Sequence, residues 1–474
     1  MRSLDQAKDA AAAAPTPAEK PGPALSAALG TIWRGALVAA LVRGGELGAR
    51  YFAQVVLARW SGPAGYGRYS YALTIAQMLA VPASLGLDSA AIRFAPEYVA
   101  QKDWGRLRGL VSRSRRVTAA GGAMLAMAGG GALVWARPPA LDSRSALACA
   151  ILVPAIGFLT LEREICRALY RVARSYLVSA LQPLLLVVLA RGIFRYAGRL
   201  SGFAAVLAAG TSLFAAAGAQ AALSESALAS EAVSSPALDA TRTWLSVSLP
   251  MLAINCAQFL AAWAGVLVLG FFRSSREVGV YSAASGTASL VGVPLIAANV
   301  LGAPVISNLF ARGERQTLEQ TLQTVTAFLW GAAGLIALAL AVWGRPLLGL
   351  FGPEFMAGRA ALLILAAGQT VNVATGPVGY LLTLTGGHRL TAWVSVATAA
   401  AHVLGSLLLV PRFGAIGAAV AAAGTAALWN GWVYALAVRR LGVRTVSFKV
   451  MGSLLRAGVL WTRAAGRGDS NGSI

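Results

Sequence analysis

Three charges interrupt an apolar stretch near the N-terminus: Arg43, Glu46 and Arg50, within LVRGGELGARYF at 41–52. At the helical turn per residue they fall within about a 60° arc, one charged stripe on one face. Charged residues at membrane depth are costly and normally face a bundle interior or a water-filled cavity. The same spacing also suits a salt-bridged cluster that ties the helix to a neighbour, or arginines that snorkel to the membrane interface. Arg191, in LLLVVLARGIF, meets the same choice between cavity and interface. Of the eighteen carboxylates, only Glu46 and Asp88 fall inside apolar segments, so they are the two candidates for binding a coupling ion. Asp88 is expected to contact a polar interior, and Arg93 to mark the end of its segment. Asn255 with Gln258, and Gln369 with Asn372, are i,i+3 amide pairs that can bond helix to helix or hold a polar ligand.

Other chemistry is missing. No Gly-Lys pair occurs, so there is no Walker A loop, and no G-x-S-x-G elbow is present. Cys149, Cys166 and Cys256 are isolated, and His388 and His402 are the only histidines. Neither a disulfide framework nor a metal or cofactor site is expected, and the chain does not read as an enzyme.

These residues sit in a chain of 474 residues that is 57% hydrophobic and 12% charged. A soluble protein carries about 25% charged residues. Apolar stretches of spanning length recur along it, so the expected fold class is an all-α integral membrane protein of about twelve helices. The first six spans are expected at 31–58, 69–92, 117–136, 145–162, 176–194 and 202–222. The second six are expected at 244–272, 280–303, 323–344, 359–383, 391–410 and 415–438. Pro82, Pro154, Pro183, Pro250, Pro294 and Pro377 fall inside spans, where kinks are tolerated. A net charge of +22 is explained by basic cytoplasmic loops, without a nucleic-acid partner. The heaviest cluster, QKDWGRLRGLVSRSRR, follows the second span and puts both termini in the cytoplasm. The Ala/Pro-rich residues 1–30 read as a disordered tail, 223–243 as a cytoplasmic linker, and 442–474 as a second tail. Within that tail, FKVMGSLLRAGVLW reads as an interfacial amphipathic helix.

The chain also repeats. LARWSGPAGYGRYSYA (57–72) aligns without gaps to LGFFRSSREVGVYSAA (269–284), an offset of 212, matching Leu57 to Leu269, Gly67 to Gly279, Tyr69 to Tyr281, Ser70 to Ser282 and Ala72 to Ala284. Each block lies at the turn between the first and second spans of its half. Both halves start from the same side, so the repeat is parallel. It implies two six-helix lobes, 31–222 and 244–441, facing a central cavity, the architecture of transporters.

LARWSGPAGYGRYSYALTIAQMLAVPASLGLDSAAIRFAPEY resembles the N-terminal signature of bacterial polysaccharide flippases, the O-antigen and exopolysaccharide translocases. FGPEFMAGRAALLILAAGQTVNVATGPVGYLLTLTG and LVPRFGAIGAAVAAAGTAALWN resemble the C-terminal half of that family. The superfamily also holds multidrug and toxin extrusion antiporters and the lipid II flippase. The resemblance implies a polyprenyl-diphosphate-linked oligosaccharide as substrate, carried across the bacterial inner membrane by alternating access. It implies a proton or sodium ion as driver, and polysaccharide polymerase and export machinery as partners. With that substrate, Arg43, Arg50 and Arg191 become candidates to hold the diphosphate, since guanidinium pairs with phosphate oxygens through a bidentate fork. Asn255, Gln258, Gln369 and Asn372 become candidates to contact sugar. Glu46 and Asp88 become coupling candidates, Glu46 by releasing its arginines when protonated. A multidrug antiporter is the alternative, although a cationic substrate would favour an acidic cavity. A membrane glycosyl polymerase or ligase would need a large external loop, and none is visible.

Overall fold

The computed structural model describes residues 23–447, with side chains from Val42 onward except those of residues 172, 173 and 300. Helices dominate the described residues and no strand occurs among them. In chain order they are α1 (Pro23–Ala83), α2 (Leu87–Gln101), α3 (Trp104–Ala136), α4 (Ser143–Ala168), α5 (Val172–Ala197), α6 (Gly202–Glu225) and the short α7 (Ser230–Ser234). The second half holds α8 (Thr241–Phe272), α9 (Ser275–Ala288), α10 (Val293–Ala311), α11 (Arg315–Gly349), α12 (Arg359–Ala374), α13 (Val378–Leu382) and α14 (His388–Leu441). The tail before residue 23 and the expected interfacial helix at 448–461 lie outside the described residues. α1 begins at Pro23, eight residues ahead of the expected first span.

Among the described residues nine helices are long and apolar enough to cross a membrane, or ten if the bent pair of α1 and α2 is one span. The expected count of about twelve differs because two helices run through a turn. In α1, Gly62 leaves the helical region (φ 66°, ψ 175°) just before Pro63. Tyr51 and Tyr66 both pack on Phe351, with ring centroids 5.8 and 6.4 Å away. On a straight helix those tyrosines would be about 22 Å apart, so the chain doubles back at Gly62. In α14 the turn is at Gly414 (φ 54°, ψ −131°), a conformation open to glycine. A Cβ on Gly417 would lie 2.5 Å from the carbonyl oxygen of Leu409, eight residues earlier, so this helix also folds back. The backbone amide of Ala415 donates to Glu277 Oε1 at 2.8 Å and anchors the turn. Between α1 and α2, Leu85 and Gly86 adopt left-handed φ and bend the pair by 49°. Pro377 sits in the break between α12 and α13 rather than inside a span.

Small residues line the helix contacts, as expected where packing rather than hydrophobic transfer drives association. Ala58, Ala72, Ala76, Ala283 and Ala284 are buried in the main cluster with Leu57 and Leu269. The repeat partners Leu57 and Leu269, Tyr69 and Tyr281, and Ala72 and Ala284 are buried alike.

Candidate functional site

The charged stripe forms as its spacing requires. Glu46 is fully buried between two arginines: Arg43 Nη1 donates to its Oε2 at 2.6 Å, and Arg50 Nη2 lies 2.8 Å from its Oε1. The Arg50 contact is an ion pair without hydrogen-bond alignment, so Arg43 holds the carboxylate more firmly. The Arg43 guanidinium also lies 5.7 Å over the Tyr176 ring.

Arg50 continues into a cavity of about 480 Å³. Both arms of α1 line it, together with α2, α4, α5, α6 and α8. Arg163 of α4 enters the same space, and Asp88 is its one lining carboxylate. Asp88 Oδ1 accepts from Ser84 Oγ at 2.9 Å. Asn255 lines the wall and donates to Ser89 Oγ at 3.4 Å. Phe259 and Trp263 of α8 add aromatic surface.

The other predicted residues separate from this group. Glu46 and Arg43 stand behind Arg50 and do not line the cavity. Gln258 is exposed and off the cavity wall. Arg191 is also exposed and outside it, its guanidinium 5.6 Å over Trp60, which stacks on Phe194. Gln369 and Asn372 line a second cavity of about 310 Å³, among α12, α14 and the segment 289–299. Its amides largely answer one another. Thr375 Oγ1 donates to Asn430 Oδ1 (2.9 Å), Asn430 Nδ2 to Asn372 Oδ1 (3.1 Å), and Asn372 Nδ2 to Gln369 Oε1 (3.4 Å).

The two cavities correspond across the repeat. Adding the repeat offset of 212 to Gln77, Ala80, Ser84, Gly157 and Thr160 of the first gives Ser289, Gly292, Ile296, Gln369 and Asn372 of the second. The charged positions do not carry over: Arg50, Asp88 and Arg163 correspond to Ala262, Val300 and Thr375. The two hollows occupy corresponding positions in the repeat, and only the first is lined by charged residues.

Two further carboxylates are buried at the end of α4. α4 runs to Ala168, six residues past the expected end of its span, and buries Glu162 and Glu164. Glu162 is held by Arg115 Nε at 2.6 Å and by a short hydrogen bond from Ser224 Oγ, while Arg115 also reaches Glu225 at 2.6 Å. Glu164 lies between Arg163 (3.2 Å) and Arg167 (2.8 Å). The density of charge in LEREICRALYR reads as a loop. The usable signal is the i,i+3 spacing of Glu164 and Arg167 on a continuing helical period.

Residues 32–310, more than half of the chain, match the family described as polysaccharide biosynthesis protein. The chain belongs to that family. Members of the transporter superfamily share its fold among solved structures. An inward-facing multidrug resistance MATE transporter has a TM-score of 0.65 at 14% identity, covering 85% of this chain and 98% of its own. The lipid II flippase MurJ, in an inward closed conformation, has a TM-score of 0.65 at 12% identity, covering 90% and 93%. A superfamily transporter from Pyrococcus furiosus, noted for the reverse polarity of its binding pocket, has a TM-score of 0.58 at 13% identity, covering 88% and 96%. No curated protein matches the sequence. This family member is therefore a multi-pass membrane protein with a transporter fold.

Proposed function

We propose that the protein is a flippase that moves polyprenyl-diphosphate-linked oligosaccharide repeat units from the inner to the outer leaflet of the bacterial cytoplasmic membrane. Alternating access of the lobes 31–222 and 244–441 carries the substrate for polysaccharide biosynthesis, with both termini cytoplasmic. One observation supports this reading: two guanidiniums, Arg50 and Arg163, and a single carboxylate, Asp88, line the charged cavity. Such a balance attracts an anion, and the guanidinium fork suits the oxygens of a diphosphate. Asn255, Gln54 and Gln182 on the same walls supply hydrogen bonds to sugar, and Trp263 an apolar face. The self-bonded amides Gln369 and Asn372 serve helix packing better than substrate binding.

Coupling to a proton or sodium ion falls to Asp88, which faces the cavity, whereas Glu46 positions arginines from behind it. A multidrug antiporter has the same fold, but a cationic drug would meet net positive charge here. The decisive assay is reconstitution in liposomes with a labelled polyprenyl-diphosphate saccharide. Leaflet transfer is expected, and Arg50→Ala should cut it at least tenfold while folded protein stays in the membrane. No transfer by the wild type, with gradient-dependent extrusion of cationic dyes instead, would replace this reading with the antiporter.

A further inference from the structure

The two charged triads have the same plan. In Arg43–Glu46–Arg50, a buried carboxylate sits between Arg50, which lines the cavity, and Arg43, which does not. In Arg163–Glu164–Arg167, a buried carboxylate sits between Arg163, which lines the cavity, and Arg167, which does not. The cavity arginine makes the longer contact in each triad, 2.8 Å against 2.6 Å for Glu46 and 3.2 Å against 2.8 Å for Glu164, but the aligned hydrogen bond comes from Arg43 in the first and from the cavity arginine Arg163 in the second. The triads come from different helices, α1 and α4, and their cavity arginines lie within electrostatic reach of each other.

Removing the only partner of a buried carboxylate is strongly destabilising, because the charge is left uncompensated. A cavity arginine tied to a carboxylate of its own would therefore resist moving to a ligand. Sharing removes that obstacle. When Arg163 turns toward an anion, Glu164 keeps Arg167; when Arg50 turns, Glu46 keeps Arg43.

We infer that Arg163 is the second anion-binding guanidinium of the cavity, together with Arg50, and that each is released to the ligand by a standby arginine, Arg167 or Arg43, which keeps the buried glutamate paired. The ligand class is a diphosphate, in line with the proposed function on which this assignment rests. Arg163 and Arg50 contact it through their forks; Glu164, Arg167, Glu46 and Arg43 are positioning residues.

Calorimetric titration of inorganic diphosphate into the full chain in nanodiscs tests this. Arg163→Gln should weaken binding about tenfold or more, and so should Arg50→Gln. Arg163→Lys, which keeps the charge and the stem, should recover part of the loss. Arg167→Ala should also weaken binding, because Glu164 then has only Arg163 to hold. Adding Glu164→Gln to Arg167→Ala should restore affinity, whereas a merely structural pair would lose further. Wild-type affinity in both Arg163→Gln and Arg163→Lys, with binding lost in Arg50→Gln, would overturn the role of Arg163 and leave the flippase reading intact. Failure of the double variant to recover would overturn the standby arrangement. No diphosphate binding by the wild type would sink both the inference and the reading beneath it, and the leaflet-transfer assay would then fail as well.

Discussion

Glu162 carries a charge into a fully buried position and is kept there by Arg115 and Ser224. Its value is one of necessity, since a buried ion pair contributes little net stability but is expensive to break. Arg115→Ala should therefore lower stability by about 3–5 kcal/mol. Thermal unfolding in detergent reads this directly, and Arg115→Met with Glu162→Gln should regain most of the loss. An unchanged midpoint in Arg115→Ala would mean that the carboxylate finds water or another donor. Arg50 and Arg163 differ in setting, because both reach a cavity. The stripe of the first triad was legible in the sequence, since three charges at helical spacing share a face whatever they pack against. Arg163 was not, because a dense run of charge resembles a loop until the helix is seen to continue.

At the scale of elements, the repeat explains how the halves meet. A Cβ on Gly67 would overlap the carbonyl oxygen of Ser275 and lie 2.8 Å from the amide of Gly279. A Cβ on Gly279 would overlap the carbonyl oxygen of Pro63 and lie 3.0 Å from the amide of Gly67. Pro63 and Ser275 differ by the same 212 residues as Gly67 and Gly279, so the contact is reciprocal, as across a two-fold axis. Glycine is required on both sides because backbone meets backbone. Gly67→Leu should wedge this end open, lengthening the distance between spin labels at the exposed positions Arg199 and Arg412. An unaltered distance would show that the crossing is not what holds the end shut. At the other turn, Gly414→Ala meets both a left-handed φ and the Glu277 carboxylate. A stability loss of about 1–3 kcal/mol is expected in thermal unfolding.

For the whole molecule, the basic bias of the loops predicts both termini in the cytoplasm. Asp103 opens α3 by accepting from the Arg106 amide at 3.0 Å, at the end expected in the cytoplasm. The turn at Gly198 lies at the opposite end of α5 from the residues that open it. A cysteine at Arg106 should react with a membrane-impermeant reagent only from the cytoplasmic side, and one at Arg199 only from the other. Labelling of both from one side would overturn the topology. The matched positions of the two cavities agree with the repeat read from 57–72 and 269–284, and charged residues line only the first.

Composition, hydropathy and the 57–72 repeat were enough to determine a helical membrane protein of two related halves, because bilayer thickness and backbone hydrogen bonding leave few alternatives. Helical spacing alone determined that Arg43, Glu46 and Arg50 share one face of their helix. Only the tertiary structure decided which arginine faces the cavity, that Arg191 and Gln258 stand outside it, that Gln369 and Asn372 belong to the other hollow, and that Arg163 joins Arg50. Periodicity places residues on a face of their own helix; which neighbour that face meets depends on bends at Gly62, Leu85–Gly86 and Gly414 and on contacts between residues far apart in the chain.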